Sequence, residues 1–419
     1  MRKKISLGAA LTFMAITAAV TFSITMVIAM TNFNSMVYNL KERESMYEKL
    51  SELERLVRQN YFGKIDEDTL QGNIAKGFLS GLGDTYAGYY TAEQYKLFSE
   101  QYAGRTVSIG AKLEKDPSGY LILSEIYPES PAEASELMVG DLIIKVDELD
   151  ITANTAAEAL EKMKGDEGTK VSLTIRREAA DTVVDVTRRE IDIPSVYYKA
   201  IDTNGYIRII EFNDNTPNQF ERAVDDLVSK GATGLIFDLR GTSGGTLGAV
   251  AEMLDKLLPE GTLVSATYKN GETKIIAKSD SREIGLPMMM LTNGDTASVS
   301  ELFVQAIRDF GKGKSVGTKT AGKSSMQQQY KLNDGSAVSF TVAQYNPPKS
   351  ANFNGTGLQP DFEVKVNSEM LKEVLALPVE ELTTEEDAQL KKAVEVIETA
   401  KKNMAVPGES ETGESSDAE

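Results

Sequence analysis

The sequence predicts an α/β protein in which a strand–helix core follows a separate region of short strands. Between about residues 193 and 366, apolar strands alternate with helices, a pattern typical of a buried, mostly parallel sheet. Between about 105 and 190 the pattern changes to short strands and turns around one helix, which is typical of a compact β-rich module. A long segment without charge precedes both regions.

The core is predicted from three strand–helix pairs in succession. Each strand is a short apolar run that ends at a turn, and each helix begins within a few residues of it. The predicted pairs are 206–212 with 216–230, 234–240 with 246–258, and 287–293 with 297–311. In the β-rich region, one helix is predicted at about 154–164.

The amino terminus has the features of a membrane anchor. Residues 1–4 contain three basic side chains, and residues 5–30 contain no charge. About 20 apolar residues span a bilayer, whereas the apolar part of a cleaved signal peptide has about 7–15. We therefore expect an uncleaved single-pass helix in the cell membrane, in preference to a signal peptide or a buried core helix. The basic residues would stay in the cytoplasm, which places residues 31–419 outside.

Further helices are predicted at both ends of the exported part. The apolar residues of segment 36–60 recur at helical spacing, which fits a dimerisation element and a solvated stalk helix equally well. A second helical region covers 66–101 and is interrupted by a glycine-rich turn at 81–84. An acidic amphipathic helix is expected at 380–403, and the Gly/Ser/Glu-rich end is expected to be disordered. A homodimer through the N- and C-terminal helices is a further expectation.

Composition excludes several kinds of chemistry. The chain of 419 residues contains no His and no Cys, so it has no Ser-His-Asp triad, thiol nucleophile, disulfide or thiolate zinc site. A hydrolytic base would have to be Lys, Asp, Glu or Tyr. The formal net charge of −18 argues against nucleic acid as the main partner.

Three segments of the core could carry chemistry. Residues 238–245 (DLRGTSGG) form a glycine-rich turn after a strand, and they lack the lysine of a phosphate-binding P-loop. Residues 293–301 (NGDTASVSE) place serines at a helix N-terminus, where N–H groups favour negative charge. Residues 318–329 contain Lys323. Taken singly, each also fits a structural role: a tight turn, or a capping box between Ser298 and Glu301.

Taken together, these segments resemble the carboxyl-terminal processing proteases, also called tail-specific proteases. NGDTASVSE is similar to the family's nucleophile motif, with Ser298 at the nucleophile's position. The segment 322–327 (GKSSMQ) is similar to the family's lysine motif and places Lys323 and Gln327 at the base and its assisting glutamine. Residues 238–245 and 357–361 match two further family segments. Asp295 and Ser324 replace common glycines without removing a catalytic atom.

The resemblance extends from about residue 40 to residue 366. It implies a ClpP/crotonase-like α/β protease core with an inserted PDZ domain, an N-terminal transmembrane helix and helical terminal segments. The predicted division of the chain is a cytoplasmic stub (1–4), an anchor (5–30), an N-terminal helical region (31–104), a PDZ domain (105–190), a serine protease core (191–366), a C-terminal helical region (367–405) and a disordered acidic tail (406–419). The substrates implied are proteins or peptides with accessible C-termini, and neither a metal nor a cofactor is implied.

The implied mechanism depends on the protonation of Lys323. A free lysine has a pKa near 10.4, and burial can lower this pKa until the neutral amine accepts the Ser298 proton. Gln327 would hold that amine by a hydrogen bond without adding charge. The oxyanion would be met by backbone N–H groups of Val299 and of Gly244 or Gly245.

Residues 108–111 (Ser108, Ile109, Gly110 and Ala111) resemble the carboxylate-binding loop of a PDZ domain. Their backbone would hold a peptide's terminal carboxylate while the peptide adds as a strand beside the predicted helix. Glu136 and Glu148 replace turn glycines of the pattern, and these positions are expected to require a positive φ. A purely structural β-module is the alternative for this region.

Two other functions compete with a membrane-anchored serine endopeptidase. One is a catalytically silent PDZ peptide-binding scaffold or chaperone, which the presence of Ser298, Lys323 and Gln327 disfavours. The other is a crotonase-like acyl transferase with the same core topology, which would not need an export anchor.

Overall fold

The computed structural model describes the backbone of residues 7–405, and the side chains in that range except those of 7, 9–11, 31–43 and 404–405. The predicted cytoplasmic stub (1–4) and acidic tail (406–419) lie outside the described residues. The described chain divides into two units, 1–73 and 74–419.

The first unit is dominated by one long helix. Helix α1 (Leu7–Asn60) continues through the region where a separate helix at 36–60 was predicted. No glycine or proline lies between residues 9 and 60, so nothing in the backbone ends the helix there. Within α1, Thr12–Met30 has a mean hydropathy of 2.1, and none of this segment is buried, which fits a membrane anchor.

The chain then forms α2 (Glu67–Ser80), β1 (Gly88–Tyr90) and α3 (Ala92–Ala103). The glycine-rich turn at 81–84 interrupts the helical region as predicted. Helix α3 begins at a capping box between Thr91 and Gln94 and ends at Gly104, whose φ of 66° is left-handed.

The β-rich region follows, and its strands and helices match the predicted short elements. They are β2 (Arg105–Ser108), β3 (Ala111–Lys115), β4 (Leu121–Ile126), α4 (Pro131–Ala134), β5 (Leu142–Val146), β6 (Leu149–Asp150), α5 (Ala156–Met163), β7 (Lys170–Arg177), β8 (Ala180–Thr187) and β9 (Arg189–Asp192). One sheet has the order β3-β4-β5-β7-β8, and β2 pairs with β9 apart from it. Alternate residues of β7 are buried in a core of their own.

Of the two turn positions predicted to need a positive φ, one was correct. Glu136 has a φ of 57°. The prediction for Glu148 was wrong, because the left-handed residue of that turn is Asp147, with a φ of 49°. Asp147 is suited to this position because its carboxylate accepts the backbone N–H of Ser172 at 3.0 Å.

The core contains the predicted strand–helix alternation. Its elements are β10 (Val196–Ile201), β11 (Asn204–Ile209), α6 (Thr216–Ser229), β12 (Gly234–Asp238), α7 (Leu247–Leu257), β13 (Gly261–Tyr268), β14 (Thr273–Ser279), β15 (Met288–Thr292), α8 (Val299–Asp309), β16 (Gly313–Gly317), β17 (Ser325–Lys331), β18 (Ala337–Asn346) and β19 (Phe362–Glu363). The main sheet has the order β10-β11-β12-β15-β16-β19, parallel from β11 to β19. Helices α6, α7 and α8 cover one face, where Phe303 packs edge-on against Phe220 and Phe237.

A second sheet was not among the predicted elements. Its order is β1-β18-β13-β14, with β17 paired to β18. The hairpin of β13 and β14 turns through the three residues 269–271, where the N–H of Gly271 donates to the carbonyl of Tyr268 at 2.9 Å and Gly271 has a left-handed φ of 79°. This sheet pairs β1, which precedes the β-rich region, with β18, and β18 also pairs with β17, the strand that follows Lys323.

The chain ends with α9 (Ser368–Ala376) and α10 (Ala388–Ala405). The prediction of a helix from residue 380 was wrong, because Asp387 accepts the N–H groups of Gln389 and Leu390 and so caps a helix that starts after it. Leu390, Ala393 and Ile397 of α10 are fully buried against the second face of the main sheet. The C-terminal helix is therefore a layer of the core.

Candidate active site

Three loops meet at the carboxyl edge of the main sheet, because β12, β15 and β16 are adjacent and parallel. We call them the glycine loop (239–246), the serine loop (293–298) and the lysine loop (318–324). The N–H of Ala297 donates to the carbonyl of Thr242 at 3.2 Å, and the N–H of Ala321 donates to the carbonyl of Thr296 at 3.1 Å. The serine loop thus lies between the other two, and the structure brings Ser298 and Lys323 into one region.

The serine loop is held by buried side chains. The hydroxyl of Thr296 donates to the carbonyl of Leu239 at 2.8 Å, and the side-chain oxygen of Asn293 accepts the N–H of Gly241 at 3.0 Å. Both side chains are at most 5% exposed. These bonds fix the serine loop to the glycine loop, so that the geometry of Ser298 is determined by its surroundings.

Ser298 has an unusual backbone. Its φ of 60° and ψ of −123° lie outside the regions that a non-glycine residue ordinarily adopts. It is the residue before the first turn of α8 and is 8% exposed. Strain of this kind persists only where neighbouring contacts impose it, and it is concentrated at functional sites.

The carboxylate of Glu301 supplies those contacts. One oxygen accepts the backbone N–H groups of Ser298 (3.0 Å) and Lys323 (2.8 Å). The other accepts the N–H of Gly322 at 2.7 Å and the hydroxyl of Thr320. Glu301 is completely buried, and four donors satisfy its charge. The expected capping contact to Ser298 is present, and the same side chain also fixes the lysine loop.

Lys323 is half-buried beside residues from the segment that precedes β1. Burial lowers the pKa of Lys323, and the negative charge of Asp84 opposes this shift. The Nζ atom lies 4.3 Å from the centre of the Tyr86 ring. Among the described residues, Nζ makes no hydrogen bond to the hydroxyl of Ser298, and catalytic contacts of this kind are often formed only when substrate binds.

Gln327 does not make the expected contact with Lys323. Its amide nitrogen donates to the hydroxyl of Ser325 at 3.0 Å and to that of Thr341 at 3.1 Å. Within the part of the chain that is described, no hydrogen bond joins it to Lys323. The assisting role of Gln327 stays a prediction.

The expected oxyanion donors lie next to Ser298 or on the glycine loop. A Cβ atom on Gly244 would lie 3.2 Å from the Cβ of Ser298, and one on Gly245 would collide with the Phe212 carbonyl at 2.0 Å. Both glycines have positive φ, 127° and 144°. Their N–H groups, like that of Val299, have no acceptor among residues 7–405. These groups are available for a developing negative charge.

The predicted carboxylate-binding loop joins β2 to β3 in the β-rich region. Ile109 is buried, and its carbonyl accepts the N–H of Ala132 at 2.7 Å. Gly110 has a φ of 79° and no room for a side chain, because a Cβ would lie 2.3 Å from that of Ser130. The hydroxyl of Ser108 accepts the N–H of Gly110 at 3.2 Å. One N–H group of the predicted carboxylate-binding loop is therefore already hydrogen-bonded within the loop.

Asp84 and Tyr86 were not among the predicted site residues. They lie in the turn at 81–87, where the glycines signalled only the end of a helix. Their approach to Lys323 depends on the pairing of β1 with β18. In the described range, residues 7–405, no group of three or more Asp or Glu is arranged to hold a metal ion.

Comparison with known proteins identifies the core and the β-rich region. Residues 203–364 match peptidase family S41, and residues 122–177 match the PDZ domain. The chain is 30% identical over 357 residues to the carboxy-terminal processing protease CtpA of Bacillus subtilis (strain 168), covering 84% of this chain and 76% of that protein. It is also 30% identical over 353 residues to a probable CtpA-like serine protease of Staphylococcus aureus (strain COL), covering 83% and 70%.

Among solved structures, the chain is similar to a photosystem II D1 C-terminal processing protease, with 24% identity and a TM-score of 0.44 over 78% of this chain and 90% of that one. The sequence resemblance is confirmed by the curated relatives and by the two matched domains. The chain belongs to the carboxy-terminal processing proteases of peptidase family S41.

Proposed function

We propose that this protein is a membrane-anchored, extracytoplasmic serine endopeptidase that cleaves proteins at or near their C-terminal tails. Ser298 is the nucleophile and Lys323 the general base. The observation that carries the proposal is the carboxylate of Glu301, one oxygen of which accepts the backbone N–H groups of both residues. A buried acid shared in this way fixes two loops relative to each other, as a two-residue catalytic pair requires.

The mechanism follows from these groups. The neutral amine of Lys323 takes the proton of the Ser298 hydroxyl while the oxygen attacks the carbonyl carbon of the scissile bond. The N–H groups of Val299 and of Gly244 or Gly245 stabilise the resulting oxyanion. The ammonium then returns its proton to the amine nitrogen as the C–N bond breaks. Water attacks the acyl-enzyme by the same route and regenerates Ser298.

Location and substrate choice come from the remaining regions. The exposed apolar segment of α1 crosses the membrane, and the basic residues before it hold the N-terminus in the cytoplasm. The PDZ domain binds the substrate's C-terminus through residues 108–111 or gates activity. The domain limits given above, the homodimer and Gln327 as the assisting residue belong to the same proposal.

The test is hydrolysis of an unfolded protein, such as casein, by the full-length chain in detergent. We expect Ser298→Ala to lower kcat by at least about 10³-fold, since the nucleophile is lost. Lys323→Arg should be equally inactive, because a guanidinium stays protonated and cannot act as a base.

Ser300→Ala is the matched control. The Ser300 hydroxyl is buried without a hydrogen-bond partner among the described residues, so its removal should leave activity in place. Activity in Ser298→Ala but not in Ser300→Ala would contradict the assignment of the nucleophile. A fully active Lys323→Arg would contradict that of the base, and an inactive parent that still binds C-terminal peptides would favour the catalytically silent scaffold.

A further inference from the structure

The turn before β1 places the ring of Tyr86 over the proposed catalytic lysine and holds an acid, Asp84, beside that ring in the chain. Asp84 accepts the N–H of Thr341 at 2.8 Å with one oxygen and the N–H of Tyr86 at 3.0 Å with the other. The first bond attaches the turn to β18, and the second shapes the turn so that the Tyr86 ring lies over Nζ of Lys323, 4.3 Å from its centre.

The same turn is also linked to β17, the strand that follows the lysine loop. The hydroxyl of Thr341, whose N–H is bound by Asp84, accepts a hydrogen bond from Gln327 at 3.1 Å. Gly88 of β1 pairs with Ser339 of β18, two residues from Thr341. The turn is therefore attached to β18 through both side-chain and backbone bonds, and Thr341 of β18 links it to Gln327 of β17.

We propose that Asp84 and Tyr86 are positioning residues of the protease, which hold the Lys323 amine and stabilise the ammonium that forms when it takes the Ser298 proton. The inference rests on the proposed Ser298/Lys323 pair. It assigns to the catalytic centre a segment that lies before the PDZ domain and outside the part of the chain that matches peptidase family S41.

The physical basis is the charge that appears on Lys323 during acylation. The proton moves from the Ser298 oxygen to the lone pair of Nζ, and the oxygen's electron pair forms the bond to the carbonyl carbon. The new ammonium lies over the negative face of the Tyr86 ring, which favours a cation. The Asp84 carboxylate makes no salt bridge with it, but its negative charge also favours the ammonium. The charged group of α8 at this loop is Glu301, and its carboxylate is occupied by backbone N–H groups.

Asp84 is charged throughout the working pH range. Hydrogen bonds from Thr341 and Tyr86 outweigh burial and lower the pKa of this carboxyl. Its charge raises the pKa of Lys323 against the lowering caused by burial. Removal of that charge should therefore move the acid limb of activity to lower pH, since the neutral amine then persists to lower pH. A residue that was only structural would lower activity equally at every pH.

The experiment measures kcat/KM against pH from 5 to 10 for the full-length chain in detergent. Asp84→Asn removes the charge and keeps one accepting oxygen, which can serve the N–H of Thr341 or that of Tyr86 but not both. We expect its acid limb to move to lower pH and its plateau to fall about fivefold, since the ammonium loses a partner. Glu93→Gln removes an exposed carboxylate from the same segment and should leave the profile unchanged.

Tyr86→Leu should lower the plateau of kcat/KM by about five- to tenfold, the effect of losing a cation–π contact. Tyr86→Phe keeps the ring and should restore most of that rate. An acid limb that does not move in Asp84→Asn would overturn the proposal. A higher rate in Tyr86→Leu would also overturn it, because the ring would then hinder Lys323 instead of stabilising its ammonium. If the positioning proposal fails while Ser298→Ala and Lys323→Arg are inactive, the proposed function still holds. If those two variants are active, the proposed function is wrong as well.

Discussion

The proposed catalytic edge of the main sheet and the predicted peptide-binding loop of the PDZ domain (108–111) both contain backbone N–H groups, but they are built differently. We call them the catalytic edge and the PDZ loop. At the catalytic edge, the N–H groups of Gly244, Gly245 and Val299 have no acceptor among the described residues. In the PDZ loop, the N–H of Gly110 is accepted by the hydroxyl of Ser108 at 3.2 Å. The N–H groups of the catalytic edge can therefore bind a ligand's negative charge directly. In the PDZ loop, the hydroxyl of Ser108 already accepts one of the N–H groups.

The two regions also differ in what holds them. Completely or nearly buried side chains, above all Glu301 and Thr296, fix the loops of the catalytic edge and impose the strained backbone of Ser298. The PDZ loop is held by the fit of Gly110 against Ser130 and by backbone bonds to the carbonyls of Ile109 and Gly110. A preorganised site keeps its donors fixed for a transition state, whereas a peptide-binding loop can exchange a weak internal bond for a ligand's carboxylate.

Among the side chains that hold the two regions in place, the largest effect is expected from Glu301, whose carboxylate joins the serine loop to the lysine loop. Glu301→Gln replaces one accepting oxygen by an NH₂ group, which cannot accept from the N–H groups it would face. We expect kcat to fall about 10²-fold, because small displacements of catalytic groups have effects of this size. The free energy of unfolding should decrease by about 1–3 kcal/mol through unpaired buried donors.

Hydrolysis assays and chemical denaturation would measure these two effects in the full-length chain. Ser300→Ala is again the control, since it lies in the same turn of α8 without contributing to these bonds. A Glu301→Gln variant with parental kcat would mean that the shared carboxylate is not what sets the geometry of the two loops.

The catalytic edge was largely predictable from sequence because its parts are local. Ser298, Lys323 and the glycine loop each lie in a short segment after an apolar strand, and adjacent parallel strands bring such segments to one edge. Glu301 was predicted only as a helix cap, since its bonds to Gly322 and Lys323 depend on how two loops meet. The position of Asp84 and Tyr86 near Lys323 depends on the pairing of β1 with β18, two strands that are far apart in the chain.

The errors in the predicted helix start and turn also come from contacts between segments that are far apart in the sequence. The C-terminal helix was expected to start at residue 380 because helical periodicity continues through that segment. Asp387 instead caps the helix and pairs with the buried Arg240, a partner that periodicity does not reveal. In the β-rich region, Glu148 was expected to be left-handed, although Asp147 accepts a hydrogen bond that favours that position.

A smaller effect is expected from the glycine that fits against Ser130. Gly110→Ala places a methyl group at 2.3 Å from the Ser130 Cβ in a backbone with a φ of 79°, so the loop must shift. We expect at least about tenfold weaker binding of a C-terminal peptide, as its donors move.

Binding would be measured by fluorescence anisotropy in the Ser298→Ala background, so that the peptide is not cleaved. The same substitution in the active chain should leave hydrolysis of a C-terminally amidated peptide at the parental rate, since the catalytic edge is separate. Unchanged affinity for the free carboxylate would place the peptide site elsewhere in the domain.

The smallest effect tests whether the PDZ loop is held partly closed. Ser108→Ala removes the hydroxyl that accepts the Gly110 N–H and leaves that donor for a ligand. Because an internal hydrogen bond of 3.2 Å no longer has to be broken, we expect about threefold tighter binding of a peptide with a free C-terminal carboxylate. The amidated peptide should bind the variant and the parent equally weakly. If Ser108→Ala binds the free carboxylate no better than the parent, the N–H of Gly110 is not one of its donors, and the difference between the two regions does not lie in this bond.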